Sequence, residues 1–183
     1  MPSIFEQNAI YLQSGDPTKE DAATLMEPGT FGARFTMQHP TGRGTPATPP
    51  RTKRFQLVKT DSAMATAPAV GAPAYWKDKS QYLVTTDPVA LNQLCGVFNN
   101  ISTKGNYTCI QIGGPCPVKV ADLTAVNAMA SGDNVIGSTV GIGARVASGT
   151  ALTNVSLGRV AFPIVKDTTN FLITVDLDLP EGV

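Results

Sequence analysis

The stretch FLITVDLDL, residues 171–179, decides how this chain is read. Val175, Leu177 and Leu179 fall on one side of it, and Thr174, Asp176 and Asp178 on the other. Successive side chains on a strand point to opposite faces. The pattern therefore describes a strand with one face in a core and the other in water. Five more segments upstream have the same character: LCGVFNN (94–100), YTCIQIG (107–113), PVKVA (117–121), NVIGSTV (134–140) and LGRVAFPIV (157–165). They are short, rich in Val, Ile and Thr, and bounded by Gly, Pro, Asn or Asp. Turns recurring at such short intervals are what a sandwich or barrel produces. STKGN (102–106) reads as a hairpin loop with Gly105 in a left-handed conformation. One helix is expected in DLTAVNAMASGD (122–133), with Asp122 as N-cap and Gly132 at its end. Leu123, Val126, Met129 and Ala130 recur at helical spacing and would plug one end of the barrel.

The sequence before residue 85 has a different texture. DPTKEDAATLM (16–26) offers one or two helical turns, with Asp16 as cap and Pro17 at the first helical position. RFQLVKTD (54–61) alternates enough for a strand, and residues 67–88 are Pro/Ala-rich, then aromatic. Between them QHPTGRGTPATPPRTKRF (38–55) holds four prolines, two glycines, four Arg/Lys and no acid. Such a segment cannot bury a core of its own. The expected architecture is therefore mainly all-β. A small β-barrel or β-sandwich with one short helix spans 86–183, and an extended N-terminal arm spans 1–85.

The chain has 183 residues, 42% hydrophobic and only 15% charged, which argues against general disorder. Its formal net charge of zero excludes a molecule built as a whole to bind a polyanion. That zero conceals an asymmetry. Residues 1–30 carry Glu6, Asp16, Glu20, Asp21 and Glu27 against Lys19, whereas residues 31–60 carry Arg34, Arg43, Arg51, Lys53, Arg54 and Lys59 with no acid. Neighbouring segments of opposite sign suggest contact with something oppositely patterned, another copy of the chain included.

Catalytic arrangements are scarce. His39 is the single histidine and lies in the basic loop, so neither a Ser-His-Asp site nor a zinc site with Cys95, Cys109 and Cys116 is expected. The three cysteines, none in a CxxC, read as reduced and buried. IGGPC (112–116) and GIGARV (141–146) are Gly-rich, but neither opens a helix after a strand, so turn-making is the better account. Asp176 and Asp178 share a strand face, where solvation is the plainer reading than cation binding. No basic leader, no apolar leader run and no membrane-spanning stretch is visible. The sequons at Asn100, Asn106 and Asn154 read as chance matches. No enzyme activity, cofactor or metal is expected.

The order YTCIQIGGPCPVKVA (107–121), AVNAMASGDNV (125–135), LGRVAFPIV (157–165) and FLITVDLDL (171–179) resembles the small capsid decoration, or cement, proteins of tailed bacteriophages. The likeness covers roughly the C-terminal half and is one of small and apolar residues. It implies a structural virion protein on the capsid surface, assembled in the host cytoplasm. Its partner would be the major capsid protein, with self-association as a dimer or trimer, and with neither membrane nor nucleic acid as partner. On that reading Arg34, Arg43, Arg51, Lys53 and Arg54 would pair with carboxylates. Phe55 would anchor the basic loop, and Tyr75 with Trp76 would tie the arm to the barrel. Alternatives are a head–tail connector, a tail-tube subunit, a head-fibre base or, less well matched, a nucleic-acid-binding protein. A carbohydrate-binding module would need an aromatic platform, and Trp76 is the single tryptophan.

Overall fold

A computed structural model of the chain describes residues 32, 34–37, 52–88, 93–120, 129–138, 143–152, 155–161 and 172–179. Within these the chain is built almost wholly of strands. Five of them close a barrel: β2 (Lys53–Thr60), β3 (Pro73–Asp78), β4 (Leu83–Thr85), β5 (Leu94–Phe98) and β6 (Tyr107–Lys119), in the order β2-β4-β3-β5-β6. Pairing of β2 with β6, Gln56 opposite Ile110 and Val58 opposite Thr108, shuts the ring. β1 (Arg34–Met37) lies antiparallel to the first half of β2 and lengthens the wall at one end. The interior is filled by Val58, Ala74, Trp76, Val84, Cys95, Phe98, Ile110 and Ile112, so each barrel strand contributes at least one apolar side chain.

β6 is the element that joins two layers. The sequence suggests two strands, 107–113 and 117–121, with a break at GGPCP. The structure instead runs one strand through that stretch, with Gly114 at φ 77°. Its first half belongs to the barrel. Its second half pairs with β10 (Leu172–Asp178). From β10 the sheet continues through β9 (Ser156–Val160) and β7 (Asn134–Gly137) to β8 (Gly143–Val146). One face of this second sheet covers the outside of the barrel. Val118, Val135, Leu157, Val160, Ile173, Val175 and Leu177 pack there against Tyr75, Leu94 and Val97. β5 is consequently buried along its whole length, with Cys95 and Phe98 turned into the barrel and Leu94 and Val97 turned outward. A register shift between Ala74 and Tyr75 places side chains three apart on the same face.

The alternation in 171–179 holds. Ile173, Val175, Leu177 and Leu179 are buried, while Leu172 and Asp178 are exposed. The 102–106 turn also holds, with Gly105 at φ 84°. A further expectation needs correction. Residues 53–85 are not an arm: β2, β3 and β4 make three of the five barrel staves. Most of the expected helix, 122–128, lies outside the described residues. Of its remainder, Met129 is in the core, whereas Ala130 is exposed and residues 131–132 form a turn with Gly132 at φ 88°.

Candidate functional site

The residues expected to meet a partner divide into three groups. Arg43 and Arg51 lie outside the described residues, as does the rest of 38–51. Phe55, Tyr75 and Trp76 are 2%, 0% and 8% exposed. They are corrected from contact residues to core residues: Trp76 fills the barrel interior and Tyr75 the layer between the sheets. Burial pushes the Tyr75 phenol up to about 12, an influence the nearby Ser138 backbone N–H offsets only in part. That N–H is outside hydrogen-bonding geometry, and the hydroxyl has no partner among the described residues. The last group, Arg34, Lys53 and Arg54, sits on the β1–β2 pair: Arg34 opposite Gln56, Thr36 opposite Arg54, Met37 opposite Lys53. Arg34 is exposed and Lys53 and Arg54 are half-buried.

The sheet carries this basic group next to an acidic one far away in sequence. Directly paired residues share a face. Arg54 pairs with Gly113, and Gly113 pairs with Asp178 on its other side. Gly113 supplies no side chain, and the Arg54 guanidinium lies over it, where a Cβ would collide with the side-chain nitrogens. One strand further, Asp176 pairs with Arg159, and Arg159 with Asn134. Asn134, Ser156, Gly158, Arg159, Asp176, Leu177 and Asp178 line an open groove of about 560 Å³ on the face turned away from the core. The resulting strip crosses β7, β9, β10, β6, β2 and β1, with Arg159 beside Asp176, then Asp178, the glycine gap, Arg54 and finally Arg34. The pair Asp176–Asp178, read from the sequence as a solvated face, forms the acidic part of this strip. Its neighbours on β2 and β1 were invisible in the sequence, because the β2–β6 pairing brings together segments that lie far apart along the chain.

Other polar groups serve the fold. Gln111 is fully buried, and its Nε2 donates to the carbonyls of Gly113, Gly114 and Pro115 at 3.0, 3.2 and 3.0 Å. Its Oε1 accepts from Asn99 Nδ2 at 2.5 Å, and Asn99 Oδ1 accepts from the Cys116 thiol at 3.2 Å. Burial drives the Cys95 and Cys116 thiols well above the usual thiol range, so neither is an activated nucleophile. Asp133 is 2% exposed. It accepts from the Ala130 N–H at 2.9 Å, from Arg145 Nε at 2.7 Å and from the Ser148 N–H at 3.0 Å. Burial, the largest influence, opposes its ionisation, but those three donors together outweigh it and hold the carboxyl below its ordinary value. Among the described residues no group of three or more His, Cys, Asp or Glu is placed to hold a metal, and no helix is long and apolar enough to cross a membrane.

No family model matches the chain, and no curated protein matches it. Among solved structures it is similar to the N base of the head fiber gp8.5 of bacteriophage phi29. The TM-score is 0.39 and the identity 14%, over 68% of this chain and 92% of that chain.

Proposed function

We propose that this chain is a structural protein of a phage virion, a decoration protein that binds the outside of the assembled major capsid lattice and stabilises the head. The observation that supports this reading is where the fold places the stretches resembling such proteins. They supply β6, β7, β9 and β10, which stand side by side in the order β6-β10-β9-β7 and share one core cluster. Apart from the first half of β6, which belongs to the barrel, the described part of these stretches thus lies in a single packed layer rather than in scattered motifs. A stiff two-layer β body suits the task. Cement adds interface area where subunits are pulled apart, and a rigid body loses little conformational entropy when it docks. Many repeated copies make modest contacts collectively strong. The basic residues of 31–60 would face carboxylates on the shell or on a sister subunit, and no catalytic role is assigned. A head-fibre base, connector or tail-tube part is the second reading, because such parts share the need for a rigid β body.

Sedimentation of the purified chain with expanded heads that lack decoration tests the proposal. Co-sedimentation that saturates at a fixed number of copies per head supports cement. Absence of binding moves the chain to a connector, tail or fibre role.

A further inference from the structure

We infer that the charged strip is a self-complementary surface, and that its occupant is a second copy of this chain. The inference deepens the self-association in the proposed function and rests on it. The strip has polarity. At one end β1 presents Arg34 and Thr36, both exposed, with Arg54 beside them. At the other end Asp178 is exposed, and Asp176 and Asn134 are half-buried in the groove. Arg159 stands beside Asp176 in the same row and offsets its charge, so Asp178 is the carboxylate the strip turns outward.

From β10 to β1 the strip spans three strand spacings, roughly 14 Å. A two-fold axis through its middle, between β6 and β2, brings Arg34 of one copy over Asp178 of the other, and the reverse contact forms at the same time. An isologous interface requires this: the same patch on both copies, matched to itself. The shapes agree with the charges. β1 is an edge strand of four residues among the described part, and the groove of about 560 Å³ flanks β10 on the acidic side. Each edge would enter its partner's groove.

The test is analytical ultracentrifugation of the full-length chain over a concentration series at low salt. The wild type is expected to dimerise. Arg34→Glu sets an acid against Asp178, and Asp178→Arg sets a base against Arg34, so each variant alone is expected to associate at least roughly tenfold more weakly. In an equal mixture of the two variants, the acid introduced at position 34 of one meets the base introduced at position 178 of the other. The second contact of that mixed dimer keeps the native Arg34 and Asp178, so association is expected to return. A wild type that stays monomeric throughout the series overturns the inference. So does a dimer indifferent to both substitutions, or a mixture that fails to recover. Binding of a monomeric chain to heads would overturn this interface and leave the decoration role standing. Loss of head binding by a chain that dimerises normally would do the opposite.

Discussion

Gln111 shows how one side chain holds the join between the two layers. Where β6 leaves the barrel, the carbonyls of residues 113–115 converge on one buried amide, whose two N–H groups are shared among all three. Gln111→Leu keeps the size and removes the donors. It is expected to cost about 1–3 kcal/mol, the penalty for stranding buried acceptors. In urea the unfolding midpoint should fall with its slope unchanged, and an unaltered midpoint would mean that water replaces the amide without loss. Tyr75 is the opposite case, since its buried hydroxyl has no partner among the described residues. Tyr75→Phe is expected to be neutral or to stabilise by up to about 1 kcal/mol. Gly137→Ala is expected to destabilise by about 1–3 kcal/mol, because a Cβ at residue 137 would collide with that same phenol. Both read out in the same urea titration, and a Phe variant clearly less stable than the wild type would show that the hydroxyl does have a partner.

At the scale of elements, the β7–β8 hairpin depends on Asp133. The carboxylate ties the turn at Ala130 to Arg145 on β8 and to the chain at Ser148, so it braces both ends of the hairpin. Its folded carboxyl is held below the ordinary value, so its contribution to stability is fully present above the unfolded value of about 3.9 and is lost as pH falls through the lower folded one. Asp133→Asn is therefore expected to lower stability by about 1–3 kcal/mol near neutral pH. The gap to wild type should narrow below about pH 4. A gap that stays constant from neutral to acid conditions would mean that the charge contributes nothing. How far the elements could be read from the sequence follows from the same physics. β10 is legible because one of its faces is wet, which writes a period of two into the residues. β5 is legible only as an apolar run, because both of its faces are dry. β3 escapes notice because PAYWKD opens on a proline and turns Tyr75 and Trp76 to different cores. β8, with the sequence GARV, is too short and too small in its side chains to carry a pattern.

The whole molecule changes what counts as an arm. A boundary near residue 85 looks reasonable in the sequence because composition shifts there, from Pro/Ala-rich to Val/Ile-rich. Closing the barrel overrides composition: β2 must pair with β6, so residues 53–60 sit in the wall opposite 107–113 although the intervening chain is long. The charged strip was illegible for the same reason, since Arg54 and Asp178 become neighbours only through Gly113. Removing residues 1–85 would take away three of five staves and should leave a chain that does not fold. It therefore cannot test whether the basic segment binds a shell. A cleaner variant is available from the register. Met37 and Lys53 are directly paired across β1 and β2, so replacing residues 38–52 by Asn-Gly closes that pair with a two-residue hairpin turn. Shortening the connection lowers the cost of closing it by about 2 kcal/mol, and the barrel keeps every stave. This variant is expected to unfold cooperatively with a midpoint at or above that of wild type. If the arginines at 43 and 51 meet carboxylates on the capsid, it should also lose most of its affinity for expanded heads. Full binding by the folded variant would exclude the basic segment as a capsid contact and leave Arg34 and Arg54 as the cations that matter.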